Sequence, residues 1–391
     1  MSGARKFIAT TNATDLADRT IAIIGGGIGG LTAALAFAKA GCRVHVYEQA
    51  EALTEVGAGI QITPNGARVL EALGLDTAAR GLRAAAVQPM SGVTGQIVAR
   101  FDLSAHTPPY RFFRRFDLVA MLAEACRDAG VDFAFGSRIE RTDDIGADFV
   151  VGADGVKSVV RPFVTGGADA PFFTGQVAWR AIVPVADADP IARIWMAPGK
   201  HVVTYPLPGG GLNVVAVQER SSWVEEGWSH EDDPAQVLAA FDDCADDLKV
   251  ILQAIEKVNI WGLFRHPVAK AWFRDQTVLL GDAAHPTLPF LAQGANLAIE
   301  DAYVLAACLS ANGNIADGLA AYQKARQTRV TRAINAANAN ARNYHLKGVQ
   351  ALVAHTGLRV LGKVAPNAFL SRLSWLYDHD VTQEDYQLAV V

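Results

Sequence analysis

Apolar residues in this chain fall in short runs bounded by glycine, proline and charge. Ile21 to Ile24 is an unbroken apolar stretch that stops at GGGIGG, and LTAALAFAKAG follows. A four-residue apolar run ended by glycines predicts a buried strand, and the segment after it predicts a helix laid against that strand. Further strands are predicted at Arg43 to Tyr47, at Asp148 to Ala153 and at Val278 to Leu280, with a helix beginning near Leu297. Between Gln176 and Arg220 the pattern changes to QVAWRAIVPV, ARIWMA, HVVTYPL and LNVVAVQER, which are β-branched and aromatic runs separated by Pro and Gly turns. Such runs predict an antiparallel sheet. DPAQVLAAFDDCADDLKVILQAIEKV then reads as helical, NIWGLF as a strand, and Gly348 to Leu370 as an amphipathic stretch expected to form a packed helix pair.

The predicted fold class is α/β. It comprises a discontinuous Rossmann-like domain (1–75, 101–165 and 275–340), an inserted antiparallel-sheet domain (76–100 and 166–274) and a helical C-terminus (341–391). No internal repeat or low-complexity tract interrupts it. Ile21 to Ala40 is long enough to imitate a membrane span, but the central glycines and Lys39 assign it to a buried strand and helix instead. A cytoplasmic protein without an integral membrane segment is therefore expected.

Composition narrows the partners. At 391 residues, 51% of them hydrophobic and with a net charge of −5, the chain suits a large buried core and offers no basic field for nucleic acid. Cys42, Cys126, Cys244 and Cys308 are scattered without metal-ligand spacing, so reduced thiols and no metal are expected.

Four strand ends carry the chemistry. Gly25, Gly27 and Gly30 stand in the GxGxxG register between strand and helix. There the first glycine allows a tight turn, the second lets a pyrophosphate approach the backbone, and the third lets helix and strand pack closely. Glu48, at the end of the next strand, is placed to accept two ribose hydroxyls and would repel a 2′-phosphate, which favours FAD or NAD over NADP at this site. Asp154 and Gly155 end another strand ahead of Lys157, Ser158 and Arg161; an isolated Ala-Asp-Gly also fits an ordinary Asp-Gly turn. Asp282 ends a fourth strand, and Pro289 stiffens the loop leading to Gly294, Ala295 and Asn296 at a helix start. Free backbone N–H groups and the helix dipole there favour a partner that gains negative charge, as a flavin does on reduction.

With these residues in view, the chain resembles the single-component FAD-dependent aromatic monooxygenases, the family of salicylate hydroxylases, 3-hydroxybenzoate 6-hydroxylases and 6-hydroxynicotinate monooxygenases. The likeness spans nearly the whole chain. It extends to GAGIQITPNGARVLEALGL (Gly57 to Leu75), RFDL (Arg115 to Leu118), AWRAIVP (Ala178 to Pro184) and HVVTYPLPGG (His201 to Gly210). The resemblance implies that Gly25, Gly27, Gly30 and Glu48 bind the ADP half of FAD, that Arg115 reaches the cofactor, and that Asp154 serves FAD and NAD(P)H binding. It also implies that Asp282 contacts the ribityl chain, and that Pro289 and Gly294 to Asn296 line the isoalloxazine. Two departures stand out: Ala292 replaces a frequent glycine, which suggests a tighter loop, and Arg114 replaces a frequent histidine before the arginine.

The implied reaction consumes NADH or NADPH and oxygen, and hydroxylates a small phenolic or hydroxypyridine ring through a flavin hydroperoxide. Tyr205 is the candidate substrate contact, equally readable as a core tyrosine beside Pro206. Arg180 would pair with a substrate carboxylate only if it, rather than its neighbour Trp179, points inward from their strand. His285 reads as a loop organiser rather than a base, and His201 is open between those roles. An epoxidase, reductase or oxidase acting on an alkene or alcohol, and a non-catalytic flavin sensor, remain the alternatives. The oligomeric state, a homodimer among the options, is open.

Overall fold

A computed structural model describes residues 16–53, 59–142, 145–167, 170–222, 230–364 and 371–387. Two large sheets carry the fold. The first is built around parallel strands in the order Thr277–Leu279, Phe149–Gly152, Thr20–Ile24, Arg43–Tyr47 and Asp132–Ala134, with Phe273–Arg274 added antiparallel at one edge. Burial follows the sequence pattern: Ile21 to Ile24 are buried, as are residues 28 and 30 to 37 of the helix Ile28–Lys39. A strand with helices on both sides is apolar all round, hence its unbroken run.

The second sheet runs in the order His230–Asp232, Val258–Arg265, Phe172–Val183, Leu212–Glu219, Lys200–Pro206, Ile191–Ala197, Ala86–Ser91 and Phe101–Asp102. It is antiparallel as expected except where Ile191–Ala197 and Ala86–Ser91 run parallel, because the latter enters from a distant part of the chain. Phe101–Asp102 pairs with Ala86–Ser91, so the boundary drawn at residue 101 falls inside this sheet. Phe273–Arg274 likewise joins the first sheet just ahead of the boundary drawn at 275. A small third sheet joins Gly59–Ile62, Arg111–Arg114 and Leu82–Arg83.

Some helices differ from the sequence reading. The segment after Asp233 is two short helices, Pro234–Ala240 and Asp246–Gln253, separated by turns. The helix expected near Leu297 starts at Gly294, and a 30-residue helix, Ile315–Tyr344, packs against it. Gly348–Val364 forms one helix with Val349, Leu352, Val353, Val360 and Val364 exposed; residues 365–370 of the expected pair lie outside the described residues. No helix among the described residues is long and apolar enough to cross a membrane. The cysteines are free and buried, and burial pushes the Cys42 thiol up to about 11.

At the centre of the first core, Glu300 and Asp301 sit fully buried on the helix Gly294–Ala311. Arg326 bridges both, with Nε to Asp301 at 2.7 Å and Nη1 to Glu300 at 2.7 Å, and Arg329 adds a second cation on Glu300 at 2.7 Å. Burial alone would raise both carboxyls. Arg326 and Arg329 instead bring Glu300 down to about 2, and His285 and Arg326 do the same for Asp301.

Arg326→Met should therefore cost about 3–5 kcal/mol in urea unfolding, since removing one partner leaves buried carboxylates undercompensated. The folded carboxyls titrate below their ordinary values of 4.5 and 3.8. Their contribution is thus complete above the unfolded values and lost as pH falls toward the folded ones. Thermal midpoints measured across that acid range should decline steadily, and a flat profile would show that the pair is not ionised in the fold.

Candidate active site

Parallel register brings the motifs together. Ile24 is level with Tyr47 and with Gly152, and Gly152 with Leu279, so the chain leaves all four strands at one edge. Gly25 and Glu48 follow directly, and Asp154 and Asp282 within three residues, at the carboxyl end where doubly wound folds bind ligands. Gly25 has φ +110°, and a Cβ there would lie 2.4 Å from the Ala153 carbonyl oxygen. A Cβ on Gly30 would lie 1.9 Å from the Gly25 carbonyl oxygen, so this glycine is required by packing. Gly27 is different, because a Cβ there would meet nothing within 4 Å. Its space is open at a helix start, where an approaching phosphate would find free N–H groups. Glu48 accepts the Gly26 N–H at 2.7 Å and the Ala50 N–H at 2.9 Å, fixing the glycine turn.

Asp154 accepts the Val159 N–H at 2.7 Å, while its other oxygen is buried without a hydrogen-bond partner among the described residues. Burial raises its carboxyl, and hydrogen bonds from Ser158 and the backbone oppose that rise. Arg161 ties this turn to the next motif, donating to the carbonyls of Ala283 at 2.8 Å, Ala284 at 2.9 Å and Pro267 at 2.7 Å. Asp282 is half-buried in the short turn Gly281–Ala283. No hydrogen bond holds its carboxylate among the described residues, burial raises it, and the charges of His285 and Arg115 oppose that rise. His285 makes a 2.5 Å contact to Asp301 and stacks on Trp272, which makes it a loop organiser.

Pro289 is exposed and begins the turn Pro289–Leu291. Ala292 then takes φ +54°, a left-handed conformation that costs a non-glycine residue about 1–2 kcal/mol. The helix from Gly294 carries no acid in its first turn, so the positive end of its dipole is uncancelled. Asn296 is committed elsewhere: its side chain accepts the Thr63 N–H at 3.0 Å and donates to the carbonyls of Gln61 at 3.0 Å and Ala292 at 2.6 Å. Only its backbone, with those of Gly294 and Ala295, remains for a ligand.

The large sheet supplies the facing wall. Trp179 points away, into the core formed with Phe241 and Leu248, so Arg180 turns toward the first domain. Its guanidinium lies 4.5 Å over the Trp261 ring, and its Nε is buried without a hydrogen-bond partner. Burial lowers it to about 10, and the positive charge of Arg115 acts in the same direction. Tyr205, on the same face, packs with Tyr110, Phe112 and Leu207, and burial pushes its phenol well up. Arg114 donates to the carbonyls of Pro208 at 3.0 Å and Gly210 at 2.6 Å, anchoring the hairpin after Tyr205. His201 lies farther along that strand, against Phe290 and Tyr344. Sequence reasoning missed Glu300, Asp301, Arg326 and Arg329. The adjacent acids in the apolar segment ANLAIED were the available signal for the first two.

A glycine turn with open space at its centre, an acid after the second strand, a carboxylate with no hydrogen bond among the described residues and an acid-free helix start together define a dinucleotide-cofactor site, and these residues fit FAD. Residues 18–144 and 136–337 match the FAD binding domain family. The chain is 35% identical to 3-amino-4-hydroxybenzoate 2-monooxygenase of Streptomyces cremeus, over 84% of this chain and 88% of that one. It is 34% identical to 3-hydroxybenzoate 6-hydroxylase of Polaromonas naphthalenivorans, over 93% and 97%. In fold it is similar to HpxO of Klebsiella pneumoniae complexed with FAD and uric acid, with TM-score 0.79, 24% identity and 91% and 97% coverage. A salicylate hydroxylase substrate complex superposes with TM-score 0.76 at 20% identity, covering 94% and 97%. The chain belongs to the FAD binding domain family and is an FAD-dependent monooxygenase of the aromatic hydroxylase kind.

The two glycines should separate by assay. Gly30→Ala should lower the thermal midpoint with or without FAD, because its Cβ meets backbone. Gly27→Ala should leave the flavin-free protein unchanged and weaken FAD binding by about tenfold or more, read by flavin fluorescence. Equal effects on both readouts would remove the distinction.

Proposed function

We propose that this enzyme uses FAD, oxygen and NADH or NADPH to hydroxylate a small phenolic or hydroxypyridine ring that bears a carboxylate. The observation that carries the reading is Arg180. It is a cation on the cleft face with an orphaned Nε, no carboxylate partner among the described residues, and a second arginine, Arg115, acting on it. A buried cation left unpaired is costly, and a ligand carboxylate would compensate it. The relatives named for 3-hydroxybenzoate and 3-amino-4-hydroxybenzoate support the same ligand chemistry.

In this reading Gly25, Gly27, Gly30 and Glu48 hold the ADP half of FAD, Arg115, Asp154 and Asp282 hold its middle, and the backbones of Gly294, Ala295 and Asn296 face the ring beside Pro289. Bound FAD supplies electron transfer and oxygen activation. The protein contributes a dry cleft, with Trp261 and Tyr205 as apolar walls and Arg180 orienting the acid. His201, on the strand that carries Tyr205, packs its ring against Phe290.

The test is NADH and NADPH oxidation with oxygen uptake and product mass, using FAD-loaded protein and a panel of salicylate, hydroxybenzoates and hydroxynicotinates. A ring-stimulated rate with a product heavier by one oxygen atom is expected. Peroxide as the only oxygen product with every ring would transfer the protein to the oxidases. Arg180→Gln should raise KM for the accepted ring acid about 10- to 100-fold, the weight of a charge-assisted hydrogen bond, with a smaller effect on the matching phenol that lacks the carboxylate.

A further inference from the structure

Arg114 does more than anchor the hairpin after Tyr205. Its Nε and Nη2 are spent on the carbonyls of Pro208 and Gly210, whereas Nη1 makes no hydrogen bond and the guanidinium meets no carboxylate among the described residues. Beside it lies an open hollow of about 590 Å³. Ile182, Pro184 and Val185 wall it on one side, and Gly209 to Gly211 of the hairpin on the other. Gly209 takes φ +73°, and a Cβ there would meet nothing within 4 Å. Its N–H donates to nothing among the described residues. The hollow thus offers a cation, a backbone donor and apolar walls, and no acid lines it.

Sheet register sets this hollow next to the cleft. Ile182 follows Arg180 by two residues, so their side chains share a face and stand about 7 Å apart along the strand. Ile182 pairs with Asn213, and Asn213 with Tyr205, so a level row of three residues runs from the hollow to the cleft wall. Asn213 is fully buried in that row, and its Nδ2 has no hydrogen-bond partner among the described residues. From the first domain, Arg114 is followed at once by Arg115, whose charge acts on both Asp282 and Arg180.

We propose that this hollow docks the nicotinamide nucleotide, with Arg114 Nη1 and the Gly209 N–H on its diphosphate and the nicotinamide end directed along the Ile182, Asn213 and Tyr205 row toward the cleft. The proposal rests on the hydroxylase reading above. There the Gly25 turn holds FAD, so a second dinucleotide needs its own anion site. A guanidinium with spare N–H groups beside a backbone donor suits diphosphate oxygens. Ile182, Pro184 and Val185 supply apolar surface for a flat ring. The ring acid is the other anion of the reaction, but its carboxylate has the buried Arg180, and the hollow is larger than one ring requires. An open site with one partly solvated cation binds weakly, which suits a reductant that leaves after each turnover.

The test separates binding from chemistry. FAD-loaded protein is mixed anaerobically with NADH and with NADPH, and loss of the flavin absorbance gives a dissociation constant and a limiting reduction rate for each. Binding of ADP-ribose, which has the diphosphate and lacks the nicotinamide, is measured by calorimetry on the same protein. Arg114→Gln should raise the dissociation constants of the nucleotide and of ADP-ribose about tenfold or more, while FAD affinity holds and the limiting rate changes less than about twofold. Added salt should weaken ADP-ribose binding in wild type and much less in the variant. Because Arg114 also anchors the hairpin, Ile182→Glu serves as the second variant. It keeps those hydrogen bonds, sets a carboxylate at the hollow, and should weaken ADP-ribose to a similar degree. Unchanged nucleotide and ADP-ribose binding in both variants, with the flavin still reduced, would overturn the site and leave the hydroxylase reading standing. Weakened ring-acid binding with unchanged nucleotide binding would make the hollow the entrance for the ring, and would overturn the assignment as well. A wild type whose flavin neither nucleotide reduces would overturn the reading and the site together.

Discussion

Two adjacent acids with no access to water set the terms for the rest of the first domain. Glu300 and Asp301 lie on a helix covered on all sides, so each needs a cation or a donor inside the fold. Arg326 serves both, Arg329 and Asn65 serve Glu300, and His285 and the Gly281 N–H serve Asp301. The partners come from three separate pieces of chain: the long helix, the segment at Asn65 and the turn from Gly281 to His285. Through Asn65 the pair reaches Thr63 and Gln293, and through His285 it fixes the turn bearing Asp282. The charges favour one arrangement of these segments, because other pairings leave a carboxylate buried and bare. Arg161 braces the same turn from the opposite side through the carbonyls of Ala283 and Ala284. The turn that carries Asp282 is thus held from both sides by neighbouring segments.

The cleft depends on a second constraint, the two-residue period of the large sheet. Val177, Trp179, Ala181, Val202, Val214 and Ala216 pack into the outer core with the short helices. Ala178, Val215, Val217 and Trp261 form part of the opposite face, together with Arg180, Tyr205 and His201. A slip of one residue in any pairing would exchange those sets. Asn213 helps lock the two halves together by accepting the Gly59 N–H at 2.7 Å. Gly59 has no room for a side chain, since a Cβ would lie 2.7 Å from the Tyr205 ring.

Much of the fold was legible because it is written in local runs. The strand at Ile21 to Ile24, the glycine turn, the strand ending before Glu48 and the β-branched runs of the large sheet each sit where their neighbours in sequence place them. Of the candidate site, the placement was legible: the motif residues Gly25, Glu48, Asp154 and Asp282 gather at one sheet edge. The side-chain partners were not. Asn296 is spent on Thr63 and Gln61, Glu48 on the glycine turn, and His285 on Asp301. Such pairings join residues up to 235 positions apart, and no local pattern encodes them.

By itself, the sequence determined which segments are strands or helices and which turns need glycine, because hydrophobic period and allowed φ are properties of a few consecutive residues. Tertiary structure decided which of Trp179 and Arg180 faces the cleft and which carboxylate keeps a free oxygen. Those outcomes depend on burial and on partners supplied by remote segments, and the cost of desolvating a charge exists only once the chain has closed around it.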